Sequence, residues 1–172
     1  MTERPDQLNN QAIIFANNGN YNDAIQCFKR AIIIDSDNSL LWYNLGITYR
    51  DMGELKDSHD AFLKAFKINY ENEEIIEALA TCCIQMKRLA EAEHYSIIGL
   101  DTNEANPHFW NLMGVINFQK EDYKEAANFF EQAVFINPYY EDALINLRDT
   151  YEELGNKNGM TECQKKLDEL KK

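Results

Sequence analysis

Glycine and proline are scarce, 7 and 3 residues among 172. That excludes a Pro/Gly-rich linker, a collagen-like chain and a turn-dense β-sandwich, and it favours helices. Long apolar runs are missing as well: stretches such as residues 31–34 fall far short of the roughly 20 residues of a membrane span, and the opening MTERPDQLNN holds no apolar leader core. A soluble, cytoplasmic protein without membrane insertion is expected. Positive charge is in short supply: 17 Lys and Arg against 29 Asp and Glu leave a formal charge of −12. Such a chain lacks the basic face that releases counterions from a phosphate backbone, so no nucleic-acid partner is expected and a basic or neutral partner fits better. Cysteines number four, Cys27, Cys82, Cys83 and Cys163, and they are not spaced like a secreted disulfide framework. Reduced thiols in a cytosolic compartment are the reading.

Chemistry-bearing motifs are equally thin. CxxC, HExxH, GxSxG, a Gly-rich phosphate loop and an Asp-rich calcium loop are all missing. His59 and His94 read as satisfied or solvated surface histidines, Cys83 as a small core residue, and Glu73 and Glu74 as acids that complement a helix dipole. No catalytic residue, cofactor or metal is expected.

What the chain does have is a repeat. Ala24, Ser58, Ala92, Ala126 and Met160 lie 34 residues apart, as do Phe28, Phe62, Ser96, Phe130 and Gln164, and Ala31, Ala65, Gly99, Ala133 and Leu167. Trp42 and Trp110 are two periods apart, as are Gly46 and Gly114. Within one period Trp42, Leu45, Gly46 and Tyr49 fall at i, i+3, i+4 and i+7, the face of an amphipathic helix. Tyr123, Ala126, Ala127, Phe130, Ala133 and Val134 draw a second such stripe. Each helix then has one narrow apolar face, which is buried only by stacking on neighbours. Asn38, Asn72 and Asn106 recur where an N-cap is needed, and Pro107 sits at a first helical position.

Residues 42–66 (WYNLGITYRDMGELKDSHDAFLKAF) and 110–138 (WNLMGVINFQKEDYKEAANFFEQAVFINP) resemble the tetratricopeptide repeat (TPR) at nearly every key position. The resemblance covers units 5–38, 39–72, 73–106 and 107–140 and a degenerate capping unit 141–172, together a single TPR domain over residues 1–172. It implies an all-α fold, a right-handed α-solenoid of stacked antiparallel helix hairpins (the TPR superhelix). Repeat three departs most, with Ser96 for the Phe, Cys83 for the Tyr and no Gly at Lys87, and is expected to be the loosest joint.

The resemblance also implies that first helices line a concave peptide-binding groove. Carried over by position, the candidate lining is Asn10 in repeat one and Tyr43, Asn44, Ile47 and Arg50 in repeat two. Repeat three adds Glu74, Glu77 and Ile84, repeat four adds His108, Asn111, Leu112, Val115 and Phe118, and the last unit adds Asn146. The clamp that grips chaperone-tail carboxylates is not matched, because its cationic positions fall on Glu74 and Ala78. An asparagine ladder for an extended peptide is matched at Asn10, Asn44 and Asn146 and broken at Ala78 and Leu112, with Asn111 one residue out of register. The expected function is a noncatalytic interaction scaffold for a basic and apolar peptide segment or helix, held by a monomer. The alternative is a regulatory or substrate-docking module of a larger enzyme or complex.

Overall fold

A computed structural model describes residues 3–171, which form ten α-helices and, among the described residues, no strand. The helices are α1 (Pro5–Asn17), α2 (Tyr21–Ile34), α3 (Ser39–Met52), α4 (Leu55–Ile68), α5 (Glu73–Gln85), α6 (Leu89–Thr102), α7 (Pro107–Gln119), α8 (Tyr123–Ile136), α9 (Glu141–Glu153) and α10 (Lys157–Leu170). Helices α1 and α2, α3 and α4, α7 and α8, and α9 and α10 form antiparallel pairs, and the odd-numbered and even-numbered series each advance by 34 residues per step.

Local chemistry fixes these boundaries. Asn38 Oδ1 accepts the Leu40 N–H at 3.2 Å, Asn72 Oδ1 that of Ile75 at 3.1 Å and Asn106 Oδ1 that of His108 at 2.9 Å, so helices α3, α5 and α7 each begin with one orphan donor satisfied. Pro5 and Pro107 occupy first turns, where the missing N–H costs nothing. Inside every hairpin the chain turns through one left-handed residue. Gly19 (φ 77°), Gly53 (89°) and Gly155 (69°) share that repeat position with Lys87 (59°) and Glu121 (63°). Glycine adopts this conformation freely, whereas a side chain there costs about 1 kcal/mol.

Close approach of the paired helices depends on glycine notches. A Cβ on Gly46 would stand 2.5 Å from the Phe62 ring, and one on Gly114 would overlap Phe130 in the same way. Ser58, in place of the usual alanine, is fully buried and donates its Oγ–H to the Gly46 carbonyl at 2.8 Å. In repeat three the notch moves. Ser96 is too small to fill it and bonds the Ala92 carbonyl at 2.9 Å, while Gly99 on α6 receives the Phe109 ring from α7.

The chain divides into two compact units, residues 1–88 and 89–172, with the boundary inside repeat three. The first unit holds α1–α5, and its core gathers Leu8, Ala12, Phe28, Ala31, Leu41 and Leu45 with Phe15, Trp42 and Tyr49 packed against them. The second holds α6–α10 around Phe130, Ala133, Leu144, Leu147, Cys163 and Leu167, with Trp110, Phe118 and Tyr151 alongside. Only Cys163 and Leu167 of α10 are buried, so this last helix seals the core with one edge and gives the rest to water.

Candidate functional site

On the first unit, α3 and α5 bring Tyr43, Arg50, Glu74 and Glu77 into one electrostatic neighbourhood. Burial, then Glu74 and Glu77, push the Tyr43 phenol above its ordinary value of 10.0, while Arg50 pulls the other way. The Tyr43 ring leans on Phe62 with 5.8 Å between centroids. Arg50 is itself turned to Asp51, 3.2 Å from its carboxylate, so the single candidate cation is already engaged. Ile47 and Ile84 are half-buried on the same two helices.

On the second unit a cleft of about 270 Å³ opens between α7 and α9, lined by Val115, Phe118, Gln119, Phe130, Asn146 and Asp149. Phe118 is held edge-on against Tyr123, with centroids 5.2 Å apart. Asp149 pairs with Arg148 at 2.7 Å, which moderates its charge at the rim. His108 does not reach this cleft: its Nδ1 lies 3.3 Å from the Tyr140 hydroxyl. Leu112 is 8% exposed and belongs to the interior more than to the surface, a correction to its place in the expected apolar patch.

The asparagines pair differently from the expected ladder. Asn44 Nδ2 donates to Asn9 Oδ1 at 2.9 Å, and Asn146 Nδ2 donates to Asn111 Oδ1 at 2.9 Å. Partners are 35 residues apart rather than 34. Helical side chains lean toward their own N-terminus, so the amide one residue further along the next first helix reaches back to its partner. Asn10, the expected first rung, is exposed and lines a cleft of about 340 Å³ with Asp6, Asn9 and Asp35, whereas its neighbour Asn9 is the bonded residue. The Thr48 and Thr150 hydroxyls donate to the Asn44 and Asn146 carbonyls at 2.8 and 2.7 Å, so both pairs sit in the same local frame three repeats apart.

All four cysteines are buried and none is in a disulfide, and burial raises the thiols of Cys27, Cys82 and Cys163 above their ordinary value of 9.0, away from thiolate reactivity. His59, expected at a satisfied or solvated surface, is buried on α4 with Nδ1 3.5 Å from Asp60. His94 is exposed beside the Tyr95 ring. Among the described residues no helix is long and apolar enough to cross a membrane.

Antiparallel helix pairs at a fixed 34-residue step define an all-α repeat protein of the α-solenoid class. Family models described as TPR repeat (residues 14–53) and tetratricopeptide repeat (residues 40–72 and 107–146) match more than half of the sequence between them, and the chain belongs to the tetratricopeptide repeat family. Such repeats form protein–protein interaction scaffolds and are generally noncatalytic. A TPR repeat-containing protein of Methanocaldococcus jannaschii is 29% identical over 147 residues, 80% of this chain and 26% of that protein, so the chain spans about a quarter of that relative's length. Among solved structures, MamA superposes with a TM-score of 0.81 at 19% identity, covering 93% of this chain and 94% of MamA. YrrB, described as a TPR protein with an unusual peptide-binding site, gives 0.72 at 21% identity over 95% and 84% of the two chains. At these identities the likeness is one of fold.

Proposed function

We propose that the first-helix faces bind a segment of a protein partner, an apolar anchor flanked by Lys or Arg, and that the chain does no chemistry of its own. The observation that carries this reading is the cleft between α7 and α9, whose apolar walls Val115, Phe118 and Phe130 meet two amides, Gln119 and Asn146, and one carboxylate, Asp149. A pocket of this make-up suits a single buried side chain with a donor-rich backbone or a cation beside it. Glu74 and Glu77 near Tyr43 add negative field on the first unit, which favours approach of a basic segment. Supporting a cytoplasmic location are the four buried cysteines, none in a disulfide, which fit a reducing compartment. The four 34-residue units from 5–38 to 107–140 and the degenerate capping unit 141–172 are proposed to serve together as one TPR domain.

Panning a random peptide library on the full chain tests the reading. Selected peptides should carry an aromatic or aliphatic residue flanked by Lys or Arg, and their affinity should fall by about 1–3 kcal/mol in Phe118→Ala, chiefly through faster dissociation. Lys substitutions at Glu74 and Glu77 should slow association and flatten its salt dependence. Enrichment of acidic peptides, or binding indifferent to Phe118, would refute the proposal.

A further inference from the structure

A larger cleft, of about 440 Å³, lies on the first unit away from the groove-lining residues, between the second helices α2 and α4 with α3 as its floor. Ile32, Trp42, Leu45 and Tyr49 make it apolar, and Lys29, Lys64, Asp57 and Asp60 ring it. At its rim stands Ile33, 84% exposed, the most exposed large apolar side chain among the described residues. The same repeat position holds Lys67 in repeat two and Asp101 in repeat three, as a solvated face requires. An isoleucine in water at a position where the neighbouring repeats carry charge asks for a covering surface.

We propose that this face seats a second copy of the chain in a two-fold contact, Ile33 of each copy entering the cleft of the other, in place of the monomer expected from sequence. A two-fold interface needs one patch that is complementary to itself. This patch has a knob and a hole side by side. Its charges fit the same geometry. The whole chain carries −12 and repels its own copy, whereas the rim here has two lysines and two aspartates and no net charge. A neutral rim adds no repulsion of its own where two such faces meet, and its lysines and aspartates offer unlike partners across the two-fold.

The equivalent cleft on the second unit, about 490 Å³ between α8 and α10, does not meet that condition. Its rim has Glu131 and Glu162 against Lys166, so two copies would bring together like charge. Tyr151 there donates its hydroxyl to Glu131 at 2.7 Å, tying α9 to the α8 wall. Its exposed aromatic, Phe135, therefore serves as an internal control for Ile33.

The contact is confined to one face of a small chain, so the dimer is expected to be weak and reversible. Sedimentation velocity of the full chain from about 1 to 500 µM should show a concentration-dependent shift from monomer to dimer. Ile33→Asp should abolish the shift with an unchanged thermal melt, because the side chain is already in water, and Phe135→Asp, with the same change of charge, should leave it intact. A monomer at every concentration overturns the proposal, including the case in which the cleft is filled only by a different protein. A dimer that survives Ile33→Asp, or one that Phe135→Asp alone dissolves, overturns it as well.

Discussion

The outer clefts of the two units occupy equivalent repeat positions three repeats apart. Lys29, Ile32, Ile33, Trp42, Leu45 and Tyr49 in one correspond to Glu131, Val134, Phe135, Leu144, Leu147 and Tyr151 in the other. The backbone frame is common and the chemistry is not. Tyr49 has the Lys29 ammonium 5.8 Å from its ring centroid, a cation over a π face, whereas Tyr151 gives its hydroxyl to a carboxylate at the same place. Asp57 on α4 is replaced by Gly159 on α10, and a Cβ there would stand 2.5 Å from the Tyr151 ring. One exchange of sign, Lys29 for Glu131, thus changes both how the central tyrosine is held and what charge the rim shows. In this family the repeat supplies the scaffold, and recognition has to be read from side chains unit by unit.

The strongest way to test the equivalence of the frames is in the cores. Phe28 and Phe130 hold the same repeat position and are each 1% exposed. Replacement of either by alanine should cost about 3–5 kcal/mol in urea unfolding, and a gap of more than about 2 kcal/mol between them would break the comparison.

A smaller effect should separate the clefts by pH. Tyr151 is shifted upward by burial, by its bond to Glu131 and by that carboxylate's charge. A group that holds its proton more tightly when folded stabilises fully below its unfolded pKa and ceases to do so as pH rises through the folded value. The Tyr151 contribution to stability should therefore hold up to about pH 10 and decline beyond it. Glu131→Gln should bring the late-ionising phenol back toward 10.0 in an absorbance titration of the folded chain. An unchanged titration would show that the hydrogen bond contributes little. The buried thiols act in the same direction from about pH 9, so the titration is best followed on the phenol itself.

The smallest effect concerns the turns. Lys87→Gly and Glu121→Gly should each stabilise by about 0.5–1 kcal/mol, because both residues have the left-handed backbone that Gly19, Gly53 and Gly155 adopt without strain. A loss of stability in thermal melts would mean that the side chains contribute more than the strain costs.

Helix positions were legible in the sequence because the 34-residue register, the caps at Asn38, Asn72 and Asn106 and the proline at 107 agree on the same boundaries. Val115 and Phe118, two positions that the family resemblance singles out, line one cleft. The asparagine pairing did not, because side-chain lean shifts the contact by one residue and a strict 34-residue comparison never sets Asn9 beside Asn44. Burial of His59 was hidden too, since a histidine on a second helix gives no sign of which neighbour covers it. The outer clefts open between second helices, whereas the family resemblance places binding residues on first helices. A comparison of Ile33, Lys67, Asp101 and Phe135 down one column would have marked the two apolar exceptions.

The two tryptophans acquire a practical meaning from where they sit. Trp42 and Trp110 lie one in each unit, and each indole N–H donates to a backbone carbonyl six residues earlier, Ser36 at 2.9 Å and Glu104 at 2.7 Å. They are matched fluorophores, so Trp42→Phe and Trp110→Phe variants give each half of the molecule its own emission signal. Because Trp42 also forms the floor of the outer cleft, its spectrum should move to shorter wavelength when that cleft loses water, making occupancy visible without a label.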